Sequence, residues 1–214
     1  MKKITFIYLL GFNFLLLSCT LDGEDNEVSI IESTPNNNDN LSGKPARTDL
    51  AFITQQLTNS YKVNFNDSDL SLGQKINLLD SAALYVPLFT TLKPVDFTLP
   101  DVTDAYIYLN NHNTAYTTLN VSVSMKGYLD LIVQTGVSDY YLVLQAIQID
   151  SLLTTNEKEN LKFIIVYLQD TAPSANGEPI DQSWKKRNIV AAIKGFEKSN
   201  ANAVFNVALV SVIQ

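Results

Sequence analysis

Ser71-Leu72-Gly73-Gln74-Lys75-Ile76-Asn77-Leu78-Leu79-Asp80-Ser81-Ala82-Ala83-Leu84-Tyr85-Val86-Pro87 is the stretch that decides the fold class. Leu72, Ile76, Leu79, Ala83 and Val86 recur at three- and four-residue intervals, so on a helix of 3.6 residues per turn they line one face. Ser71 and Gln74 make a capping-box pattern, in which side-chain oxygens satisfy backbone N–H groups left free at a helix start. Pro87 ends the run, because proline lacks the N–H and its ring collides with the preceding turn.

The same grammar extends in both directions. Thr48-Asp49 stands before Leu50, Ile53, Leu57 and Tyr61 and predicts a helix over 49–61. Downstream, Val102, Ala105, Tyr106, Leu109, Asn113 and Tyr116 form a third stripe. Met125, Leu129 and Ile132 form a fourth, which Gly136 is expected to close as a left-handed cap. Tyr140, Val143, Leu144 and Ile147 suggest a fifth helix; Leu161, Ile164, Ile165 and Leu168 suggest a sixth, opened by a Thr154 and Glu157 capping box. Two prolines and a glycine make Thr171 to Pro179 an exposed loop. Beyond it, Ile189, Ile193, Phe196, Ala203, Val207 and Val210 keep helical spacing, with Gly195 or Asn200 as the point of division. The expectation is an all-α domain over 48–214, a compact bundle of about six to eight helices.

Several helix starts share more than a cap. Ser71, Ser122 and Thr154 are each followed four residues later by a lysine (Lys75, Lys126, Lys158) and three further on by a leucine; Asp181 with Lys185 is a weaker copy. Unequal spacing argues against a regular solenoid, and the pattern reads as one helix-start solution used repeatedly, a degenerate helical-hairpin repeat being the alternative.

The N-terminus is of another kind. Lys2-Lys3 precede Ile4 to Leu17, a largely apolar run of signal-peptide length and too short to span a bilayer, which takes about 20 residues. Leu16-Leu17-Ser18-Cys19 resembles the lipobox of bacterial lipoproteins, with a leucine three places before the cysteine and a small residue just before it. That resemblance implies a signal peptide over 1–18, cleavage between Ser18 and Cys19, and a membrane partner reached through lipid on Cys19. Two or three acyl chains, at about 0.8 kcal/mol per buried methylene, anchor durably. Asp22, Glu24, Asp25 and Glu27 follow, an acidic run similar to the surface-export signal of Bacteroidota-type lipoproteins and equally readable as a solvated tether. Residues 19–47, with Pro35, Asn36-Asn37-Asn38, Gly43 and Pro45, have little to bury and read as a linker. Roughly 28 flexible residues reach about 30 Å.

Across 214 residues the formal net charge is −7, which argues against a nucleic-acid partner. Cys19 is the sole cysteine, so no internal disulfide or thiolate zinc site is available.

Chemistry-bearing motifs are sparse. His112 is the only histidine and borders the third stripe, where a hydrogen-bonded packing role is the ordinary one. Asn64 to Lys75 superficially suggests a calcium loop, but its sixth position is Asp69 and its twelfth Lys75, where glycine and glutamate are required. No metal site or cofactor is implied. Trp184-Lys185-Lys186-Arg187 is the most basic point of an acidic chain. It is a candidate surface for an anionic partner or a sugar, against the plainer reading of a buried tryptophan beside a solvated flank. Asp80-Ser81-Ala82, Asp150-Ser151-Leu152 and Asp170-Thr171-Ala172 look like the short O-glycosylation signal of Bacteroidota-type exported proteins, Thr171 being the one expected in a loop. No phosphate loop, GxSxG elbow or HExxH occurs, and no catalytic residue is assigned.

Three functional expectations follow. The first is a lipid-anchored, non-catalytic interaction module at the outer membrane, facing the cell surface, with a protein or glycan partner. The second is an accessory or protective lipoprotein paired with a secreted toxin or envelope machine. The third is an envelope-polymer enzyme using carboxylates such as Asp67, Asp69 or Glu178.

Overall fold

Five of the described helices begin where a polar side chain, Ser71, Asp101, Ser122, Thr154 or Asp181, closes the first turn. In the computed structural model, which describes residues 47–65, 69–172 and 181–213, ten α-helices follow one another: α1 (Arg47–Asn64), α2 (Leu72–Ala83), α3 (Pro87–Leu92), α4 (Val102–Leu109), α5 (His112–Thr117), α6 (Val123–Gln134), α7 (Tyr140–Ile149), α8 (Thr155–Thr171), α9 (Gln182–Phe196) and α10 (Asn200–Ile213). A single 3-10 turn, Val137–Asp139, joins α6 to α7, and no strand occurs among the described residues. The all-α expectation holds. The anchor residues Ser18 and Cys19, the linker as far as residue 46, Asp67 and Glu178 lie outside the described residues, while Arg47, the last residue expected in the linker, opens α1.

The expected capping boxes form. The Ser71 and Thr154 N–H groups donate to Gln74 Oε1 and Glu157 Oε2 at 2.9 Å, while their hydroxyls accept from the N–H groups of Gln74 and Glu157. Ser122 caps α6 by accepting from Met125 N–H at 3.1 Å, and Asp181 caps α9 through Ser183 N–H at 2.8 Å. Such a cap contributes about 1 kcal/mol.

Four local expectations are corrected. The third stripe is two helices, because α4 ends at Leu109 and Asn110-Asn111, whose amides compete with backbone hydrogen bonding, intervenes before α5. Pro87 opens α3 as its first residue, a position where its missing N–H is not needed; α2 has already ended at Ala83. Gly136 is extended (φ −65°, ψ 148°) and not left-handed, since Thr135 ends α6 in an extended conformation. Thr171 completes α8 half-buried, its hydroxyl donating to Tyr167 O at 2.6 Å, so it is a helix residue and not an exposed loop residue.

The last two helices form the centre. Residues Ala201 to Val210 of α10 are all buried, as a helix apolar around most of its circumference must be. It packs chiefly on α9 and α1, with α2, α3 and α4 completing the enclosure. The α9–α10 hairpin is close because Gly195 has no side chain: a Cβ there meets the Ala203 Cα at 2.2 Å. Two asparagines on α10 are buried with partners, Asn202 donating to Thr98 O at 2.9 Å and Asn206 to Ala191 O at 3.3 Å. Phe89, Phe97 and Phe205 pack as a triangle with centroids about 6 Å apart. Lys93 lies over two of these rings and pairs with Asp80 at 2.6 Å.

The recurring lysine serves helix ends. Lys126 Nζ donates to Tyr116 O in the last turn of α5, and Lys158 Nζ to Gln148 O in the last turn of α7, each at 2.9 Å. Lys185 does the same for α6. At the starts of α6, α8 and α9 the shared pattern is thus a double cap: the hydroxyl or carboxylate closes its own helix start, and the lysine one turn later neutralises the carbonyl end of another helix. Among the described residues no helix is long and apolar enough to cross a membrane.

Candidate functional site

Gln55, Thr58, Asn59 and Lys62 occupy successive turns on one side of α1, beside its apolar stripe. Tyr167, Asp170 and Thr171 do the same on α8. Where these two polar edges face each other, with Trp184 from the first turn of α9 and Ser211 from the last turn of α10, they enclose a recess of about 400 Å³. That volume suits a small organic group.

The recess has a fixed floor and a freer rim. The Tyr167 ring is buried and its hydroxyl is hydrogen-bonded to the Ser211 hydroxyl, which also donates to Val207 O at 3.1 Å. Burial raises the Tyr167 pKa, keeping the phenol neutral. At the rim, Gln55 Nε2 donates to Asp170 Oδ2 at 3.2 Å, which orients both side chains. Asn59 and Lys62 are exposed, and Trp184 is half-buried. The arrangement offers an aromatic face, a carboxylate, two amides and an ammonium within one opening. It is suited to recognising a polar molecule that also has an apolar face.

The basic run that contains Trp184 does not form one patch. Successive residues of a helix point about 100° apart, and the four side chains serve different neighbours. Lys185 is only 3% exposed, and its ammonium donates to Ile132 O, Val133 O and Thr135 O at 3.2, 3.1 and 2.6 Å. It is a buried cap, not a solvated flank, and burial lowers its pKa. Lys186 reaches Asn113 Oδ1 at 3.4 Å and lies 5.6 Å from the Tyr116 ring centroid. Arg187 is half-buried next to His112, its Nε shielded from solvent without a hydrogen-bond partner. Only Trp184 of the four belongs to the recess.

A larger hollow of about 600 Å³ lies between the end of α6 and the start of α9. Lys185, its buried cation, is already saturated by three carbonyls, which leaves that hollow the weaker binding candidate.

His112 is buried, its Nδ1 3.3 Å from Leu109 O and its Nε2 without a partner among the described residues. Burial, and then the Arg187 cation, push its pKa down, so it packs as a neutral ring. Asp69 is exposed in the turn before α2 and is not among the residues lining the recess. Among the described residues no cluster of His, Cys, Asp and Glu is placed to hold a metal.

No family model, curated protein or solved structure matches this chain. Its function must therefore be argued from the recess and from the N-terminal sequence. Sequence reasoning singled out Trp184 for binding and Thr171, with Asp170 beside it, for glycosylation, and gave no binding role to α1 or Asp170. The signal was the polar stripe at positions 55, 58, 59 and 62, which resembles any solvated helix face until α8 is seen opposite it.

Proposed function

We propose that this protein is a lipid-anchored, non-catalytic binding module of the bacterial envelope, displayed at the cell surface and engaging a glycan through the Trp184 recess. The observation that carries the ligand part is the half-buried Trp184 among amide, hydroxyl and carboxylate groups in a 400 Å³ opening. Sugars present ring C–H groups that stack on an aromatic face and hydroxyls that pair with planar polar side chains, so both halves of the lining find counterparts.

The anchoring part rests on Leu16-Leu17-Ser18-Cys19 behind a positive and then apolar leader, and the surface orientation on the acidic residues 22–27. The polar composition of residues 19–47, with little to bury, supports a tether that would give the recess reach beyond the headgroups.

Membrane fractionation with palmitate labelling tests the anchor: Cys19→Ala is expected to abolish labelling and release the protein, and a labelled, membrane-bound alanine variant overturns it. For the ligand, the lipidated protein drawn from its own envelope is expected to carry a saccharide component that Trp184→Ala loses. Equal recovery by both forms overturns the recess as the binding surface.

A further inference from the structure

We infer that the recess is a subsite for one neutral pyranose ring, held by Trp184 on its C–H face and by Asp170 and Asn59 on a pair of neighbouring hydroxyls; this rests on the glycan reading above. Asp170 lies on the rim with one oxygen taken by Gln55 at 3.2 Å, an arrangement that fixes the carboxylate and leaves its other oxygen to accept from a ligand hydroxyl. A carboxylate accepts only, and an amide both donates and accepts. One hydroxyl donating to Asp170 and its neighbour paired with Asn59 therefore satisfies a vicinal diol.

Charge selects the neutral sugar. Asp170 lines the opening, and the whole chain carries a net charge of −7, so an acidic polymer is disfavoured at long range. Among the described residues lining the recess, Lys62 is the only cation; it offsets the Asp170 charge and leaves no surplus for an anion. The buried Tyr167 below, hydrogen-bonded to Ser211, limits depth to a ring lying against Trp184.

Trp184 is the only tryptophan in the chain, so its emission reports the recess alone. The experiment titrates the full-length protein with the methyl glycosides of glucose, galactose, mannose and N-acetylglucosamine, and with methyl glucuronide, by fluorescence and calorimetry together. At least one neutral glycoside is expected to bind saturably with a change in Trp184 emission, and the glucuronide is not. Asp170→Asn and Asn59→Ala, both at exposed positions, are expected to weaken binding about ten-fold or more with unchanged circular dichroism. The inference is overturned if no neutral glycoside saturates by either method, if the glucuronide binds more tightly, or if Asp170→Asn binds as well as the parent. Envelope capture by Asp170→Asn at the parent level, beside failed glycoside titrations, removes the pyranose subsite while leaving the module to bind its glycan elsewhere.

Discussion

The Lys185 ammonium lies 2.6 Å from the carbonyl oxygen of Thr135, fifty residues earlier in the chain. With Ile132 O and Val133 O it completes three charge-assisted hydrogen bonds at the C-terminus of α6, where the helix dipole is negative. The start of one helix is thereby tied to the end of another. Lys185→Met keeps the side chain's bulk and removes every donor, leaving those carbonyls unpaired by the ammonium. The expected loss is about 2–4 kcal/mol, measured by urea unfolding at neutral pH. A loss within about 0.5 kcal/mol would show that the carbonyls find other partners.

Gly195→Ala tests the closest helix contact. The added methyl meets the Ala203 backbone at 2.2 Å, and backbone cannot step aside as a flexible side-chain tip does. Unfolding is expected to be easier by about 3 kcal/mol or more, with the α9–α10 hairpin forced apart. Gly127→Ala in α6 is the control: its Cβ meets nothing within 4 Å, and the helix gains about 0.5–1 kcal/mol. The two substitutions should shift the thermal midpoint in opposite directions.

Glu157 links two helix starts. The Ser122 hydroxyl first, then the Thr154 backbone and hydroxyl, hold its carboxyl below the usual value of 4.5. A depressed carboxylate pKa stabilises the fold fully above the unfolded value, and that stabilisation is lost as pH falls through the lower folded value. Stability should therefore fall on acidification below about pH 4.5. Glu157→Gln should flatten that limb, at a cost of about 0.5–1.5 kcal/mol at pH 7. An unchanged acid limb by urea unfolding from pH 3 to 7 would remove Glu157 from the account.

His112 has the same sign for a different reason, because the fold favours its neutral form and not a charged one. Its folded pKa lies below 6.5, so protonation favours the unfolded chain, and stability should decline as pH falls from about 6.5 toward the folded value. Replacing the imidazole with an uncharged side chain, as in His112→Leu, should remove that slope. Retention of the same slope between pH 7 and 5 would place its origin in another group.

The helices were legible in sequence wherever a cap and an apolar stripe agreed, as at Ser71, Ser122 and Thr154. They were misread where periodicity continued through a break. Val102 to Tyr116 keeps its spacing because α4 and α5 both pack on α9, so the stripe survives while Asn110-Asn111 turns the backbone. Lys185 shows a different limit. Its place after Asp181 matched the other starts, but its burial depends on carbonyls fifty residues away. The recess was less legible still, because α1 and α8 contribute mostly ordinary polar residues, α10 contributes one serine, and only Trp184 from α9 is distinctive by itself.

The packing of α1 on α10 has a kinetic consequence. The first described helix has its apolar face completed by the last, so the contact closes a loop of nearly the whole domain and is entropically among the slowest to form. Neighbouring pairs such as α9 and α10, or α1 and α2, can associate early; the contact of α1 with α10 must wait. Until α10 has emerged, the chain has no finished core to protect, and a partly delivered polypeptide stays pliable enough to be threaded, refolded or degraded.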